Sequence, residues 1–372
     1  MEIPIEPYQV AACQHVLLPA RSGGRFKDNI KKNLDHYCDL IDFCHDKFFS
    51  VSGPMRLIAF GEFCITGLYW ACNRGDKTFN NREVIKHLAI RIPGDETNVL
   101  AQKAIQHNCY IAAANLEYDP EWPDFHFNCG FLINPKGKIV LKYRKITTSN
   151  QPVEFGCSPH DMLREYRNPI TKKFDPFPVV ETSIGRIAIM VCGDLRAPEI
   201  PRIYSLKGAD MLLRLTSGYS DSMSGLFPEG IVESTLLVRA HDNAMYLINC
   251  NRGHEVGSIM PEARAGAGSM ISDYMGNSLV KARDSNEVVI RARVDIQACR
   301  KYRHTYFLNP VTMIRSELFY PYFSKSVYPP NSFLEDGPIE ELLNRKQLQL
   351  YEQAVENMKK CYDSYSEEEV RE

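Results

Sequence analysis

Short, continuous apolar runs alternate along the chain with segments whose apolar positions recur every three or four residues. Continuous runs such as 8–14, 56–60 and 187–191 predict strands that are buried on both faces of a sheet. The recurring apolar positions over 28–48 predict a long helix packed on such a sheet, with Asp28 as its N-cap. Because strands and helices alternate in both halves of the chain, we expect an α/β fold, an αββα sandwich of two sheets with helices outside.

Similar patterns continue through most of the chain. A polar, Pro-containing stretch over 152–178 predicts a long loop, and such a loop in a compact domain is often functional. We expect the last three predicted strands to form one antiparallel set. The remaining predicted elements are strands at 109–115, 127–133, 138–145, 211–216, 244–249, 268–272, 278–281 and 287–294, and helices at 97–108, 197–208 and 228–243.

The pattern changes near the end of the chain, so we predict a main domain over 1–295 and a C-terminal extension over 296–372. Residues 300–333 are rich in Tyr, Phe and Pro and are too apolar for a free tail. We expect them to lie across their own domain or a neighbouring subunit. The apolar positions over 338–360 predict one amphipathic helix. The acidic residues 364–372 are predicted to be disordered. The expected buried face of that helix is Ile339, Leu342, Leu343, Leu350, Ala354 and Met358.

Three predicted strands end at residues that can do chemistry. Glu62 follows the run RLIAF, Lys145 ends KIVLKYRK, and Cys192 follows IAIMV directly. Gly193 lets the backbone turn sharply after Cys192, so the thiol lies at a strand-to-helix elbow beside free N–H groups. This setting favours the thiolate. A lone cysteine would more simply be a small buried hydrophobe, so the argument depends on all three strand ends together.

The motifs around these residues give the chain a family resemblance. GEFCITG, KYRKI and CGDLRAPE carry Glu62, Lys145 and Cys192 in the order seen in the nitrilase, or carbon–nitrogen hydrolase, superfamily. The chain resembles that superfamily, in particular its amidase and carbamoylase branch, over about residues 5–295. The resemblance implies the αββα fold, hydrolysis of a non-peptide carbon–nitrogen bond, and at least a homodimer.

Amide hydrolysis needs a nucleophile, a proton carrier and a group that stabilises the oxyanion. We expect Cys192 to attack the carbonyl carbon and Glu62 to carry the thiol proton to the departing amine. Lys145 and the backbone N–H of Gly193 would stabilise the oxyanion, and water would then hydrolyse the thioester. Relatives often carry a second glutamate after the lysine. Glu154 is the candidate here, and a loop carboxylate facing water is the alternative interpretation.

Departures from the family pattern bear on the substrate. Gly193 stands where many relatives have an aromatic residue, so that wall of the pocket must come from elsewhere. Asp194 stands where true nitrilases more often have Glu, which by resemblance favours an amide over a nitrile, and it is expected to brace the elbow by hydrogen bonds. Arg252 could bind a substrate carboxylate, which would indicate an N-carbamoyl amino acid. The candidates for the pocket, each of which could equally be core or interface, are Tyr69, Trp70, Trp122, His126, Phe127, Ser217, Gly218, Tyr219 and Arg252.

Composition limits the partners. The 372 residues carry a formal net charge of -2, which gives no indication of nucleic acid or an anionic membrane. No apolar run approaches the ~20 residues of a membrane span and no signal peptide is recognisable, so we expect a cytoplasmic protein with a small-molecule substrate. The twelve cysteines form no CxxC pair, and all but Cys192 are interpreted as reduced core or surface thiols. The ten histidines show no ligand-spaced cluster, so neither a metal nor another cofactor is expected.

Three other functions would need different residues from these. A papain-like hydrolase would need a histidine base beside an orienting partner, and no histidine lies at an obvious strand end. A dinucleotide enzyme would need GxGxxG after an early strand, and the sequence AGAG at 265–268 is incomplete and late. A non-enzymatic scaffold of the same superfamily is the alternative from another class. Such a scaffold would have no need of the complete set Glu62, Lys145 and Cys192.

Overall fold

Two six-stranded sheets pack face to face in the part of the chain that the structure describes. The structure is a computed structural model. It describes residues 4–18, 26–46, 53–67, 81–147, 156–218, 230–254, 256, 267–305, 309–334, 337 and 345–363.

The first sheet has the strand order β12-β1-β2-β3-β4-β5. Its first three strands along the chain pair in parallel, whereas β4, β5 and β12 pair antiparallel to their neighbours. The strands are β1 (Tyr8–Gln14), β2 (Met55–Glu62), β3 (Tyr110–Tyr118), β4 (His126–Ile133), β5 (Ile139–Arg144) and β12 (Val288–Val294).

The second sheet has the order β11-β10-β9-β8-β7-β6, with β7, β8 and β9 parallel. The two sheets approach closely at Gly130 of β4, where an added Cβ would lie 2.5 Å from Ile189 Cγ2 of β7. The strands are β6 (Val179–Thr182), β7 (Gly185–Val191), β8 (Met211–Leu215), β9 (Tyr246–Cys250), β10 (Met270–Ser272) and β11 (Ser278–Lys281).

Helices cover the outer faces of both sheets. Apolar residues of α1 and α3 pack on the first sheet, and those of α4 and α5 pack on the second. The layers are therefore helix, sheet, sheet, helix, as the hydrophobic pattern predicts. The helices of this region are α1 (Phe26–Cys44), α2 (Asn81–His87), α3 (Asp95–His107), α4 (Glu199–Leu206) and α5 (Ile231–Asn243).

The C-terminal residues continue from the sandwich. Helix α6 (Ile296–Thr305) is anchored to the second sheet, because Arg300 and Arg303 both form ion pairs with the buried Asp210. The extension also includes a 3-10 turn (Pro310–Met313), α7 (Ser316–Phe323) and α8 (Arg345–Asp363). The division at residue 295 stays a prediction.

Part of the aromatic arm lies across its own domain. Phe333 is 2% exposed and packs in a cluster with Met162 and Tyr166, and the Asn331 side chain accepts a hydrogen bond from the backbone of Arg164. Every residue of α7, by contrast, is exposed. The arm is thus docked at one end only.

Several predicted details are wrong. Asp28 lies within α1, whose described part begins two residues earlier, so it is not the N-cap. Strand β12 does not join β10 and β11 but pairs with β1 of the other sheet. Helix α2 and strand β6 were not predicted. Met358 is 38% exposed, although it was assigned to the buried face of the last helix. Phe48, the residues 338–344 with Ile339, Leu342 and Leu343, and the tail 364–372 lie outside the described residues.

Candidate active site

The three predicted residues lie at the same end of the sandwich. Strand β2 is parallel to β3, β4 is antiparallel to β3, and β5 is antiparallel to β4. Strand β5 therefore runs in the same direction as β2. Glu62 ends β2 and Lys145 follows β5, so both lie at one edge of the first sheet. The second sheet contributes to the same edge, since the backbone N–H of Glu62 donates to Thr216 O, just after β8.

Glu62 is held by three donors. Its side chain is 1% exposed, and its Oε1 accepts hydrogen bonds from Lys145 Nζ at 2.9 Å and from Asn128 Nδ2 at 2.6 Å. Oε2 accepts from the backbone N–H of Ser217 at 3.1 Å. A buried carboxylate with three donors is fixed in position. Lys145 and Asn128 belong to the first sheet, whereas Ser217 follows β8 of the second, so both sheets hold the carboxylate.

Lys145 is buried as an ammonium. Burial is the largest influence and by itself lowers the pKa of Lys145, but Glu62, Cys192 and Asp194 together outweigh it, so the pKa lies above its ordinary value. A buried cation between these groups can stabilise negative charge that develops on a nearby oxygen.

Cys192 lies at a strained elbow. It follows β7, opens the 3-10 turn Cys192–Arg196, and has φ 47°, a left-handed conformation that is uncommon for a residue with a side chain. Its side chain is half-buried. Val191 pairs with Leu215 of β8, so Cys192 lies one strand away from Ser217, whose N–H binds Glu62. The thiol and the carboxylate therefore approach the same small region.

Asp194 braces this elbow, as predicted from the sequence. It is fully buried, and its Oδ2 accepts hydrogen bonds from the Val191 backbone at 3.0 Å and the Tyr143 hydroxyl at 2.7 Å. Its Oδ1 accepts from both the backbone and the hydroxyl of Thr147. Burial raises the pKa of Asp194, while Lys145 and these donors oppose the rise. Arg214 adds a further brace, with its Nε donating to Cys192 O at 3.0 Å.

The candidates for the pocket lie in different places. Ser217 is beside Glu62, as described above. His126 is buried with its Nδ1 2.6 Å from Asn81 Oδ1. Phe127 lies on the opposite face of β4 from Asn128, where the Arg144 guanidinium stacks 3.6 Å above its ring. Trp122 packs against the apolar cluster that contains Phe127. Gly218 donates its N–H to Thr216 Oγ1. Tyr69, Trp70, Tyr219 and the proposed second acid, Glu154, lie outside the described residues.

Arg252 is engaged by the protein itself. It is 2% exposed, with Nε directed at Ser217 O at 3.4 Å and Nη1 donating to Gly253 O at 3.1 Å. The guanidinium therefore supports the backbone segment whose N–H holds Glu62.

Asn128 was missed by the sequence analysis. It is fully buried in β4, donates from its side chain to Glu62, and accepts the Lys145 N–H at its backbone oxygen at 2.9 Å. The only available signal was a single polar residue within the apolar run HFNCGFLI. An asparagine inside a buried strand needs hydrogen-bond partners, and here one partner is the candidate base.

Metal and membrane features are not seen in the described parts of the chain. No group of three or more metal-ligating side chains occurs there. None of the helices described above is long and apolar enough to cross a membrane. Eleven of the twelve cysteines are described, and no disulfide joins any two of these eleven.

The chain is similar in sequence to known formamidases. A formamidase of Helicobacter acinonychis is 27% identical over 249 residues, which make up 67% of this chain and 63% of that protein. A formamidase of Bacillus cereus is 27% identical over 201 residues, 53% of this chain and 50% of that protein. The matched segments thus span between 50% and 63% of the length of these curated relatives.

Solved structures share the fold. The Caenorhabditis elegans NitFhit protein superimposes with a TM-score of 0.61 at 19% identity, covering 85% of this chain and 67% of that one. An amidase from Nesterenkonia sp. superimposes with a TM-score of 0.57 at 18% identity, covering 86% and 98%. Residues 9–304 match the sequence profile described as Carbon-nitrogen hydrolase. Because that match covers most of the chain, this protein belongs to the carbon–nitrogen hydrolase family.

Proposed function

We propose that this chain hydrolyses small amides through a thioester on Cys192, releasing ammonia or an amine and a carboxylic acid. The observation that carries the proposal is the buried Glu62 carboxylate, which binds Lys145 Nζ at 2.9 Å and the Ser217 N–H at 3.1 Å beside the Cys192 elbow. Family membership and the formamidase relatives support an amide substrate.

Each of the three side chains has a distinct task. The Cys192 sulfur attacks the carbonyl carbon, and its proton passes to Glu62. Lys145 and the Gly193 N–H stabilise the tetrahedral oxyanion, and Glu62 then protonates the departing nitrogen. Water attacks the thioester with its proton accepted by Glu62, or by Glu154, and the thiol is regenerated.

The substrate is proposed to be a short, uncharged amide. An N-carbamoyl amino acid would need a cation for its carboxylate, and the Arg252 guanidinium already contacts the oxygens of Ser217 and Gly253. A nitrile remains the second candidate of the same chemistry, and Asp194 at the elbow, by family resemblance, favours the amide. No metal or other cofactor takes part in this scheme.

The deciding experiment measures ammonia release from formamide, acetamide, an N-carbamoyl amino acid and a nitrile. Wild type should release ammonia from at least one of the two amides, and Cys192→Ala should fold but release none. Cys38→Ala is the matched control, because Cys38 is also half-buried but lies on α1, and it should keep wild-type activity. Turnover by Cys192→Ala at the wild-type rate would remove this cysteine from the mechanism.

A further inference from the structure

Asn128 and Ser217 hold the Glu62 carboxylate from two sides. Asn128 Nδ2 donates to Oε1, and the Ser217 backbone N–H donates to Oε2. Only the NH₂ group of an asparagine can donate to a carboxylate, so the contact with Glu62 fixes which way the Asn128 amide faces. The other side-chain polar atom of each residue is Asn128 Oδ1, which shares a carbon with that NH₂ group, and Ser217 Oγ, which belongs to the residue whose N–H binds the carboxylate.

Both of these second atoms lack a partner. Among the described residues, Asn128 Oδ1 and Ser217 Oγ are buried and accept or donate no hydrogen bond, although the residues are only 0% and 7% exposed. A buried polar atom without a hydrogen bond is unfavourable, and here two of them belong to the residues that bind one candidate catalytic carboxylate. Such a pair is suited to bind a polar group that enters the site.

We propose that Asn128 Oδ1 and Ser217 Oγ accept the two N–H groups of a primary carboxamide, which makes the site selective for amides with an unsubstituted nitrogen. This inference rests on the proposed function. In that reaction the scissile nitrogen must lie beside Glu62, because Glu62 delivers its proton. The two unpartnered atoms belong to the two residues that contact this carboxylate, so we assign them to the nitrogen side of the substrate.

Two acceptors would orient the nitrogen for departure. When the sulfur–carbon bond forms, the nitrogen becomes pyramidal, with two N–H bonds and one lone pair. If the N–H bonds point to Asn128 Oδ1 and Ser217 Oγ, the lone pair points to the proton on Glu62. That proton came from the thiol, so transfer to nitrogen and cleavage of the carbon–nitrogen bond release neutral ammonia and leave the thioester with its charges balanced.

The same arrangement rejects other nitrogen and oxygen leaving groups. An ester has no N–H, so it gains nothing from either acceptor. An N-methyl amide presents one N–H and places a methyl group against the other acceptor, which is then left buried and unpaired. A site built to bind an N–H discriminates against analogues that lack it.

Ser217→Ala tests this role with little other disturbance, because it removes Oγ but keeps the backbone N–H that binds Glu62. The values of kcat/KM for acetamide, N-methylacetamide and ethyl acetate are measured, since kcat/KM reports the steps up to thioester formation. We expect a loss of about tenfold for acetamide and less than twofold for the ester. The preference for acetamide over N-methylacetamide should fall as well. Ser272→Ala is the control, because Ser272 is fully buried on β10 and donates to Leu247 O.

Asn128→Leu is the second variant. It should lower kcat/KM for acetamide and for ethyl acetate, because Glu62 loses a donor. The loss should be several-fold larger for acetamide than for ethyl acetate. Equal losses on amide and ester in both variants would overturn the proposal, as would a loss confined to kcat, which would indicate a role for these atoms in binding the hydrolytic water. The same ratio change in Ser272→Ala would also overturn it. If wild type releases no ammonia from any amide, the proposed function itself fails. An active wild type with unchanged ratios in the variants refutes only the acceptor role.

Discussion

Tyr143 of the first sheet donates its hydroxyl hydrogen over 2.7 Å to Asp194 Oδ2, in the turn that follows β7 of the second sheet. Tyr143 lies two residues before Lys145, and Asp194 lies two residues after Cys192. The bond therefore links the strand that carries the ammonium to the elbow that carries the thiol. Burial and then Asp194 raise the pKa of Tyr143, so the phenol stays protonated and remains a donor.

Tyr143→Phe should lower the free energy of unfolding by about 1–3 kcal/mol at neutral pH, because the buried Asp194 carboxylate loses a donor. Burial already raises the pKa of Asp194, and loss of the hydroxyl raises it further. The effect should shrink as the pH falls through that pKa, since a protonated carboxyl no longer needs the donor. Urea unfolding of both proteins at several pH values measures this.

Tyr204→Phe is the matched control for that substitution. Tyr204 is also fully buried, but its hydroxyl donates to the Ile189 backbone oxygen, which does not titrate. Its loss of stability should not vary with pH over the same range. A similar pH dependence in both variants would contradict the proposed importance of the Asp194 charge.

Glu62→Gln should reduce activity about 10²- to 10⁴-fold, the usual contribution of a positioned acid–base group. It should also lower the pKa of Lys145. Burial alone favours the neutral amine, and Glu62 is the first of the groups that oppose this, so its removal lets burial prevail. A pH titration of carbon-13-labelled lysine by NMR detects the change. An unchanged Lys145 titration would mean that the 2.9 Å contact does not control the ammonium.

The sequence predicted the strand ends well and the faces of strands poorly. Glu62, Lys145 and Cys192 could be found because each interrupts an apolar run at its end. Asn128 and Phe127 could not be separated, because a strand buried on both faces shows no alternation of polar and apolar residues. Asn128 binds Glu62, whereas Phe127 packs under Arg144 on the opposite face of the strand.

The hydrophobic pattern also could not predict which strands pair when they lie far apart in the chain. The run at β12 follows β10 and β11 closely along the chain, which suggested one antiparallel set. Its residues instead pair with β1, across from Tyr8 to Gln14. Sequence proximity sets which strands can form a hairpin, but the choice of sheet depends on packing between elements far apart in the chain. Strand β6 has only four residues, of which two are apolar, so it is too short to show a hydrophobic period.

Cys192→Gly should be inactive but more stable than Cys192→Ala, by up to about 1 kcal/mol. The positive φ of 47° at this position is unfavourable for any residue with a Cβ, and glycine avoids that strain. Cys250 on β9 provides the opposite case, because it lies in an extended strand. Cys250→Gly should therefore be less stable than Cys250→Ala. Thermal or urea unfolding of the four variants tests both signs. Equal stability of the two Cys192 variants would mean that the elbow relaxes out of the left-handed conformation.

Glu117 forms a buried ion cluster on the outer face of the first sheet. It is 1% exposed and binds Lys142 Nζ and Arg144 Nε, the latter at 2.9 Å, and Arg144 also binds Asp119. Burial is the largest influence and opposes the carboxylate, but Arg144 and then Lys142 outweigh it and lower the pKa of Glu117 to about 2. The cluster therefore links β3 to β5, the strand that leads into Lys145.

Acid should weaken the fold through this cluster. Because the pKa of Glu117 is lower in the folded chain than in the unfolded one, its contribution is complete at neutral pH and is lost as the pH falls from about 4.5 towards 2. The change amounts to roughly 3 kcal/mol. Urea unfolding of wild type from pH 7 to pH 3 should show part of this loss, and Glu117→Gln should lack it while being less stable at pH 7, since Arg144 stays buried. The double variant Glu117→Gln with Arg144→Met serves if the single variant does not fold. Wild-type acid sensitivity retained in either variant would place its origin in other carboxylates.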